Sequence, residues 1–328
     1  MVRALQLARG GEGFVSPNPM VGAVVTARGR IIGEGFHRAF GGPHAEVNAI
    51  ASVAEADRHL LREATIYVTL EPCSHYGKTP PCARLIIDTG IPRVVTGAPD
   101  PNPKVSGRGI RMLREAGIDV TEGVMLKECL DINRRFMTAQ RLRRPYIQLK
   151  WAQTADGFIA GLDEEGNPMP VAISTPLTKT LMHRERALCD AILAGPNTIA
   201  IDNPRLDVRL WPGKNPLKVS FDSRKISSGS NFMAGKHILL NPEVALDENM
   251  HMLFERHSVS SLMVEGGAAV LRSFIDSGLY DEIRIETSPR EILRGVKAPA
   301  IMPDALKEVA VTIVDGNTIS LFQDVKNL

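Results

Sequence analysis

No run in this chain approaches the ~20 consecutive apolar residues that a membrane-crossing helix requires. The opening, Met1–Arg9, reads as an amphipathic helix without the unbroken apolar centre of a secretion signal. A cytoplasmic protein with no membrane partner is expected. Cysteine is scarce as well: there are four, and Cys129 and Cys189 fall in helix-like contexts that read as core. So few suit a reducing compartment better than a disulfide framework. Charge of one sign is also lacking. Lysine and arginine total 39 against 37 aspartate and glutamate, a formal net of +2, which excludes the basic stripe of a dedicated nucleic-acid binder. Arg141, Arg143 and Arg144 come nearest to one and read as a solvated boundary. A complete Gly-x-Gly-x-x-Gly is missing, and with it the Rossmann fingerprint. What is present is 328 residues of 44% hydrophobic content, a length that favours two domains over one.

Against that background one cluster carries chemistry. His44-Ala45-Glu46, Pro72-Cys73 and Pro81-Cys82 supply one imidazole, two thiols and one carboxylate. Two soft thiolates and an imidazole are the donors Zn2+ prefers, and three protein ligands leave a fourth tetrahedral position for water. Zinc brings the pKa of such a water to roughly 7. Glu46 lies two positions after His44, and side chains at i and i+2 of a helix do not share a face. It is therefore expected to move protons rather than to ligate. His-x-Glu followed by Pro-Cys and Cys is the arrangement of zinc-dependent base deaminases. Here Ser74 through Pro81 separate the two cysteines, instead of the usual two residues. That polar, cationic loop, pinned between two ligands, must run beside the substrate.

Turn signals and apolar runs organise the rest. Ser16-Pro17-Asn18-Pro19 cannot be helix, and Met20–Val25 and Arg30–Gly35 read as a hairpin across Arg28-Gly29. Pro43 suits the entry or N1 position of a helix running through Ala49, Val53 and Ala54. Thr65–Leu70 is a short strand, a helix with Leu85, Ile86 and Ile87 on its apolar side follows Cys82, and Arg93–Gly97 is the next strand. Helix Gly109–Ala116, strand Ile118–Thr121 and helix Leu126–Arg141 complete the half. Strands alternating with helices predict an α/β sandwich. After Arg143-Arg144-Pro145 the pattern restarts. Strands are expected at Tyr146–Lys150, Ala191–Ala194, Lys218–Asp222, His237–Leu240 and Ser261–Glu265, and helices at Pro176–Leu188 and Ala268–Ser277. Strand, then Gly266-Gly267, then a helix N-terminus offers backbone N–H groups to a phosphate, although such glycines are often only a turn.

Residues 1–141 resemble the deaminase half of the RibD family of bifunctional riboflavin-biosynthesis enzymes. The matching pieces are Pro17-Asn18-Pro19-Met20-Val21-Gly22, Gly35-Phe36-His37, Pro43-His44-Ala45-Glu46, Thr69 through His75, Gly77 through Cys82, and Asp100-Pro101-Asn102-Pro103. The long cysteine spacing is itself the family's form of the motif. The resemblance implies one zinc per chain on His44, Cys73 and Cys82, with Glu46 as the proton shuttle. It also implies Asn18 on the pyrimidine edge and His75, Lys78 and Asn102 on the ribosyl-phosphate side. Read without it, Asn18 and Asn102 could equally be turn residues bonding their own backbone.

Residues 144–328 resemble the family's reductase half, through Arg144-Pro145-Tyr146, Asp156-Gly157, Asp190 through Thr198, Asp202 through Arg209, Asp222-Ser223 and Val264-Glu265-Gly266-Gly267. The implied fold is a cytidine-deaminase-like α/β/α sandwich over 1–143 plus a dihydrofolate-reductase-like α/β domain over 144–328. The implied cofactors are zinc and NADPH, and the implied substrate is a pyrimidine ribosyl phosphate handled by a homo-oligomer. Ala152, Thr198, Asp202, Ser223 and Gly267 would then contact the dinucleotide. Arg186, Leu206, Arg209 and Glu265 would contact substrate, the arginines as bidentate phosphate clamps, and Lys150 would flank the reacting sugar carbon. Where the family carries a serine and a tryptophan ahead of Ile173-Ser174, this chain has Pro170 and Ala172. The alternative is therefore a deaminase with a degenerate reductase half.

Overall fold

Apolar runs punctuated by glycine and proline fold the chain as two compact units, Met1–Leu142 and Arg143–Leu328. The computed structural model describes residues 1–75, 80–101, 106–301 and 306–324. Among the described residues no helix is long and apolar enough to cross a membrane.

The first unit runs α1 (Val2–Ala8), β1 (Gly22–Ala27), β2 (Arg30–Phe36), α2 (Ala45–Ala51), β3 (Thr65–Leu70), α3 (Cys82–Thr89), β4 (Arg93–Ala98), α4 (Arg108–Glu115), β5 (Asp119–Thr121), α5 (Leu126–Ile132) and α6 (Arg134–Leu142). Arg28 and Gly29 turn the hairpin with φ of 51° and 76°, the left-handed geometry that matches strand twist. The sheet order is β2-β1-β3-β4-β5, with β1 antiparallel to both neighbours and β3, β4 and β5 parallel. One face packs Ala23, Val25, Ile66 and Val94 against Ala49, Ala83, Ile86 and Leu113 of α2, α3 and α4. On the other, Gly22 lies so close to α1 that a Cβ would sit 1.9 Å from the Ala4 carbonyl oxygen, and Cys129 and Met137 pack on Leu5 and Ala98. Helices cover both faces of one sheet.

Two local expectations are corrected. The helix that opens after Pro43 stops at Ala51, short of Val53 and Ala54. There the Ser52 hydroxyl donates to the Ala49 carbonyl (2.8 Å) and accepts the Glu34 N–H (2.8 Å), which ends the helix on the neighbouring strand. Of the two positions expected for Pro43, the structure shows the entry one, directly before the N-cap His44. The single helix expected over Leu126–Arg141 is two, broken at Asn133. A tertiary bond overrides helix propensity there. Asn133, 3% exposed, accepts the Met20 N–H (2.7 Å) and donates to the Met20 carbonyl (2.8 Å), like a fragment of strand.

The second unit contains β6 (Tyr146–Gln153), β7 (Phe158–Leu162), β8 (Pro168–Met169), α7 (Pro176–Ala187), β9 (Ala191–Leu193), α8 (Pro196–Asp202), β10 (Leu217–Phe221) and β11 (His237–Leu240). It continues with α9 (Leu246–His257), β12 (Ser261–Val264), α10 (Ala268–Asp276), β13 (Glu282–Thr287), β14 (Gly295–Lys297), β15 (Leu306–Val314) and β16 (Asn317–Asp324). The main sheet has the order β11-β10-β9-β12-β6-β13-β16-β15. Its first six members are parallel, and β16 and β15 return antiparallel. Ile147, Leu149, Leu193, Val264 and Ile283 fill its core with Leu253, Leu271 and Phe274 of α9 and α10. Successive strands run outward from β9 to β11 and then return to β12 on the other side of β9. Ligands of open parallel sheets bind outside the carboxyl ends of strands at such a reversal.

Candidate active sites

In the first unit a cavity of about 240 Å3 opens over the ends of β3 and α2, lined by Asn18, His37, His44, Glu46, Cys73, His75 and Asp100 among others. His44 is the N-cap of α2, Cys82 begins α3, and Cys73 follows β3. The Nδ1 of His44 lies 3.6 Å from Cys73 Sγ and 3.3 Å from Cys82 Sγ, and all three donor atoms fall within 4.8 Å of one another. Bonds of about 2.3 Å to sulfur and 2.0 Å to nitrogen at a tetrahedral angle set nitrogen–sulfur edges of roughly 3.5 Å. The donor set fits zinc in kind and in spacing. A backbone N–H also supports it, since Cys82 N donates to Cys73 Sγ (3.2 Å). The hydrogen bond with Cys82, then His44, pulls the Cys73 thiol well below its usual range, while the same bond and burial push Cys82 up.

Glu46 is 3% exposed. Burial, then the charge of Cys73, pushes its carboxyl up to about 7, where it can both give and take a proton near neutral pH. His37, in Gly35-Phe36-His37, gave no sign of a role in the sequence. It is 2% exposed and meets the His44 ring edge-on at 5.6 Å. Its Nδ1 faces the Pro43 carbonyl (3.0 Å), which can only accept, so Nδ1 carries the proton. Nε2 then accepts from the Asn18 amide nitrogen (3.1 Å). Burial first, then His44, holds His37 below its usual range and so neutral. This chain of bonds orients the Asn18 amide and leaves its Oδ1 as an acceptor for a ligand. The break at Asn133 contributes too, since α6 brings Phe136 and Gln140 to the same cavity. His75 lines it, whereas Lys78 and Asn102 lie outside the described residues.

In the second unit, Thr198 and Gly267 meet beside the strand reversal. Thr198, in the first turn of α8, accepts the N–H of Gly267 at the start of α10 (3.0 Å). Asp202 ends α8, with burial raising its carboxyl; Ser223 follows β10, and Ala152 lies on β6. Lys150 is half-buried on β6, and desolvation lowers its ammonium pKa against the opposing pull of Glu265 and Glu286.

Two expectations change here. Arg186 is not an open clamp: its Nε and Nη2 engage Glu265 (2.8 and 2.6 Å) and its Nη1 the Asp207 carbonyl (3.2 Å). The two groups predicted to meet substrate separately are one nearly buried pair. Leu206 is 3% exposed, its side chain in a cluster with Ile192, Ile199 and Phe232, so only its backbone could meet a polar ligand. Arg209 pairs with Asp207, and its N–H donates to His183 Nδ1 (3.1 Å). Glu286 was also missed; it accepts from Ser174 (2.7 Å) and Asn317 (2.6 Å). Pro170 and Ala172 are exposed.

A family model described as the RibD C-terminal domain matches residues 145–314, and the cytidine and deoxycytidylate deaminase zinc-binding region matches residues 1–98. The first runs straight through Pro170 and Ala172, so the comparisons support a reductase domain and not a degenerate remnant. The riboflavin biosynthesis protein RibD of Aquifex aeolicus (strain VF5) is 38% identical over 321 residues, 90% of this chain and 88% of that protein. The RibD of Escherichia coli (strain K12) is 35% identical over 326 residues, 88% of this chain and 87% of that protein. Among solved structures, a diaminohydroxyphosphoribosylaminopyrimidine deaminase/5-amino-6-(5-phosphoribosylamino)uracil reductase of Thermotoga maritima aligns with a TM-score of 0.88 at 36% identity. That alignment covers 99% of this chain and 97% of the other.

Proposed function

The chain belongs to the RibD family, whose members join a cytidine-deaminase-like domain to a dihydrofolate-reductase-like one, and from that premise we propose how its residues divide the two reactions. It is a bifunctional riboflavin-biosynthesis enzyme, a zinc-type deaminase and a reductase. The first substrate we assign is 2,5-diamino-6-ribosylamino-4(3H)-pyrimidinone 5′-phosphate. The observation that carries this reading is the meeting of His44, Cys73 and Cys82 donor atoms within 4.8 Å, in one cavity with buried Glu46.

Zinc held by those three supplies a water acidic enough to ionise near neutral pH. Glu46, buried in the same cavity, would take a proton from the attacking water and hand it to the departing amine. The ring carbon gains oxygen, its bond to nitrogen breaks, and ammonia leaves. Asn18 Oδ1, oriented by His37, accepts from a donor on the pyrimidine edge. His75, Lys78 and Asn102 attend the ribosyl phosphate.

When bound, NADPH would supply a hydride to ribosyl C1′; the bond from C1′ to the ring oxygen breaks, and that oxygen takes a proton to become a hydroxyl of the ribityl chain. Ala152, Thr198, Asp202, Ser223 and Gly267 would hold the dinucleotide. Lys150 flanks the reacting sugar carbon, and Arg209 reaches the substrate phosphate. Arg186 acts by fixing Glu265 in place. Following ammonia release and NADPH loss in parallel on the zinc-loaded chain tests the whole reading. Both signals are expected, with NADPH loss trailing ammonia. Ammonia without NADPH loss would remove the reductase assignment, and neither signal would remove both.

The proposed homo-oligomer has a candidate contact. β15 ends the main sheet, and Val311 and Ile313 on it are 55% and 75% exposed. A long apolar edge strand is a template for pairing with another chain, here a second copy. Val311→Lys with Ile313→Lys is expected to lower the sedimentation mass while leaving ammonia release unchanged. An unchanged mass removes β15 as the contact. Four free cysteines suit the reducing, cytoplasmic setting that we keep as part of the proposal.

A further inference from the structure

Helix α4 lacks a cap of its own. Its N-cap residue, Gly107, has no side chain, and its first turn holds no acidic residue. The first N–H groups of a helix need acceptors, and a negative charge is favoured there. Both needs are met from far away in sequence. Glu71, 5% exposed, accepts Gly109 N (3.1 Å) and Ile110 N (3.4 Å) on Oε1, and Gly107 N (3.0 Å) and Asp100 N (3.4 Å) on Oε2. Its own N–H bonds the Ala98 carbonyl (2.9 Å). Beside this carboxylate, the helix presses on the chain that leads to the metal ligand: a Cβ on Gly109 would lie 2.0 Å from the Pro72 carbonyl oxygen.

A serine or aspartate at position 107 could cap α4 locally. This chain instead spends a buried carboxylate two residues before Cys73, and so ties three things to one point: the start of α4, the end of β4 with Asp100, and the segment Glu71-Pro72-Cys73. Asp100 and Cys73 both line the deaminase cavity. We propose that Glu71 is a positioning residue for the deaminase, whose carboxylate sets the Asp100 wall of the cavity at its working distance from the metal ligands. This rests on the functional reading above. It adds a device that holds the substrate's surroundings rather than the metal or the proton.

Two variants of the full zinc-loaded chain test it by disturbing the joint from opposite sides. Glu71→Gln places an amide N–H2 against backbone donors, and Gly109→Ala forces the helix off the Pro72 carbonyl. For each, ammonia release from the diaminopyrimidine ribosyl phosphate gives KM and kcat separately, zinc content is measured, and NADPH loss on the deaminated product is the internal control. Mutating the outer partners of metal ligands typically costs about 10–100-fold in metal affinity or activity, and a joint that sets the wall beside those ligands is expected to act on a similar scale. Both variants are therefore expected to raise the deaminase KM at least about tenfold, with kcat within about threefold, one zinc retained and reduction unchanged. A fall in thermal stability with KM unmoved would overturn the proposal, leaving Glu71 a remote helix cap. Loss of zinc in step with loss of activity would overturn it as well, because Glu71 would then serve the ligand strand. A wild-type chain that releases no ammonia overturns the functional reading first and this inference with it.

Discussion

Replacing Glu46 by glutamine is expected to lower ammonia release by about 10^2–10^4-fold, the usual contribution of a positioned acid–base group. The amide keeps the shape of the side chain but cannot take a proton from water. The carboxyl sits buried beside the three donor atoms, and its pKa of about 7 suits two-way transfer. Because Glu46 is not among the metal donors, zinc should stay at one per chain in the variant. NADPH loss on the deaminated product should also persist, since every reductase residue named above lies beyond Arg143. Ammonia release near the wild-type rate would show that another group moves the proton. Loss of zinc would show that the carboxylate serves the metal.

The second large effect is expected on the pair Arg186–Glu265. The side chains are 14% and 11% exposed, and removing one partner strands a buried charge, at a cost of about 3–5 kcal/mol. Arg186→Met should lower the stability of the second unit by that amount. The change is readable there alone, because the chain's two tryptophans, Trp151 and Trp211, both lie in it. Adding Glu265→Leu should recover much of the loss, since apolar replacement of a buried pair is often neutral, while reduction stays absent. An unchanged tryptophan unfolding midpoint in Arg186→Met would count against the pair as a structural tie. The pH dependence follows from Glu265. Burial alone would raise its carboxyl, but Arg186 and then Lys150 bring it below the usual range. A lowered carboxyl contributes stability that is fully present above the unfolded value of about 4.3 and is lost as pH falls through the folded value.

What was legible in the sequence depended on how local the cause is. Thr65–Leu70 is a run of β-branched, aromatic and aliphatic residues and forms a strand over those residues. The metal donors were legible because zinc demands particular residue types, and Pro-Cys twice with His-x-Glu is rare by chance. His37 and Glu71 were not, because orienting an amide or capping a remote helix leaves no mark on neighbouring residues. Asn133 breaks a helix through a bond to Met20, 113 positions away. Nothing in the pattern of Leu126–Arg141 could announce that. Arg186 and Glu265 were each read as substrate contacts, and their pairing across 79 positions is a fact of the fold that neither stretch of sequence announces. β13, β15 and β16 also went unread, along with α9.

The order in which strands meet differs from the order in which they are made. β6 opens the second unit and finishes in the middle of its main sheet, yet both of its neighbours, β12 and β13, begin only at Ser261 and Glu282. At ~5–20 residues per second, a ribosome would leave β6 without either partner for roughly ten seconds. The first unit has no such wait, since its sheet closes within its own contiguous residues. During synthesis the deaminase half can therefore be complete while the central strand of the reductase half still shows two bare edges. Until β12 and β13 are made, those edges are open to pairing with another chain.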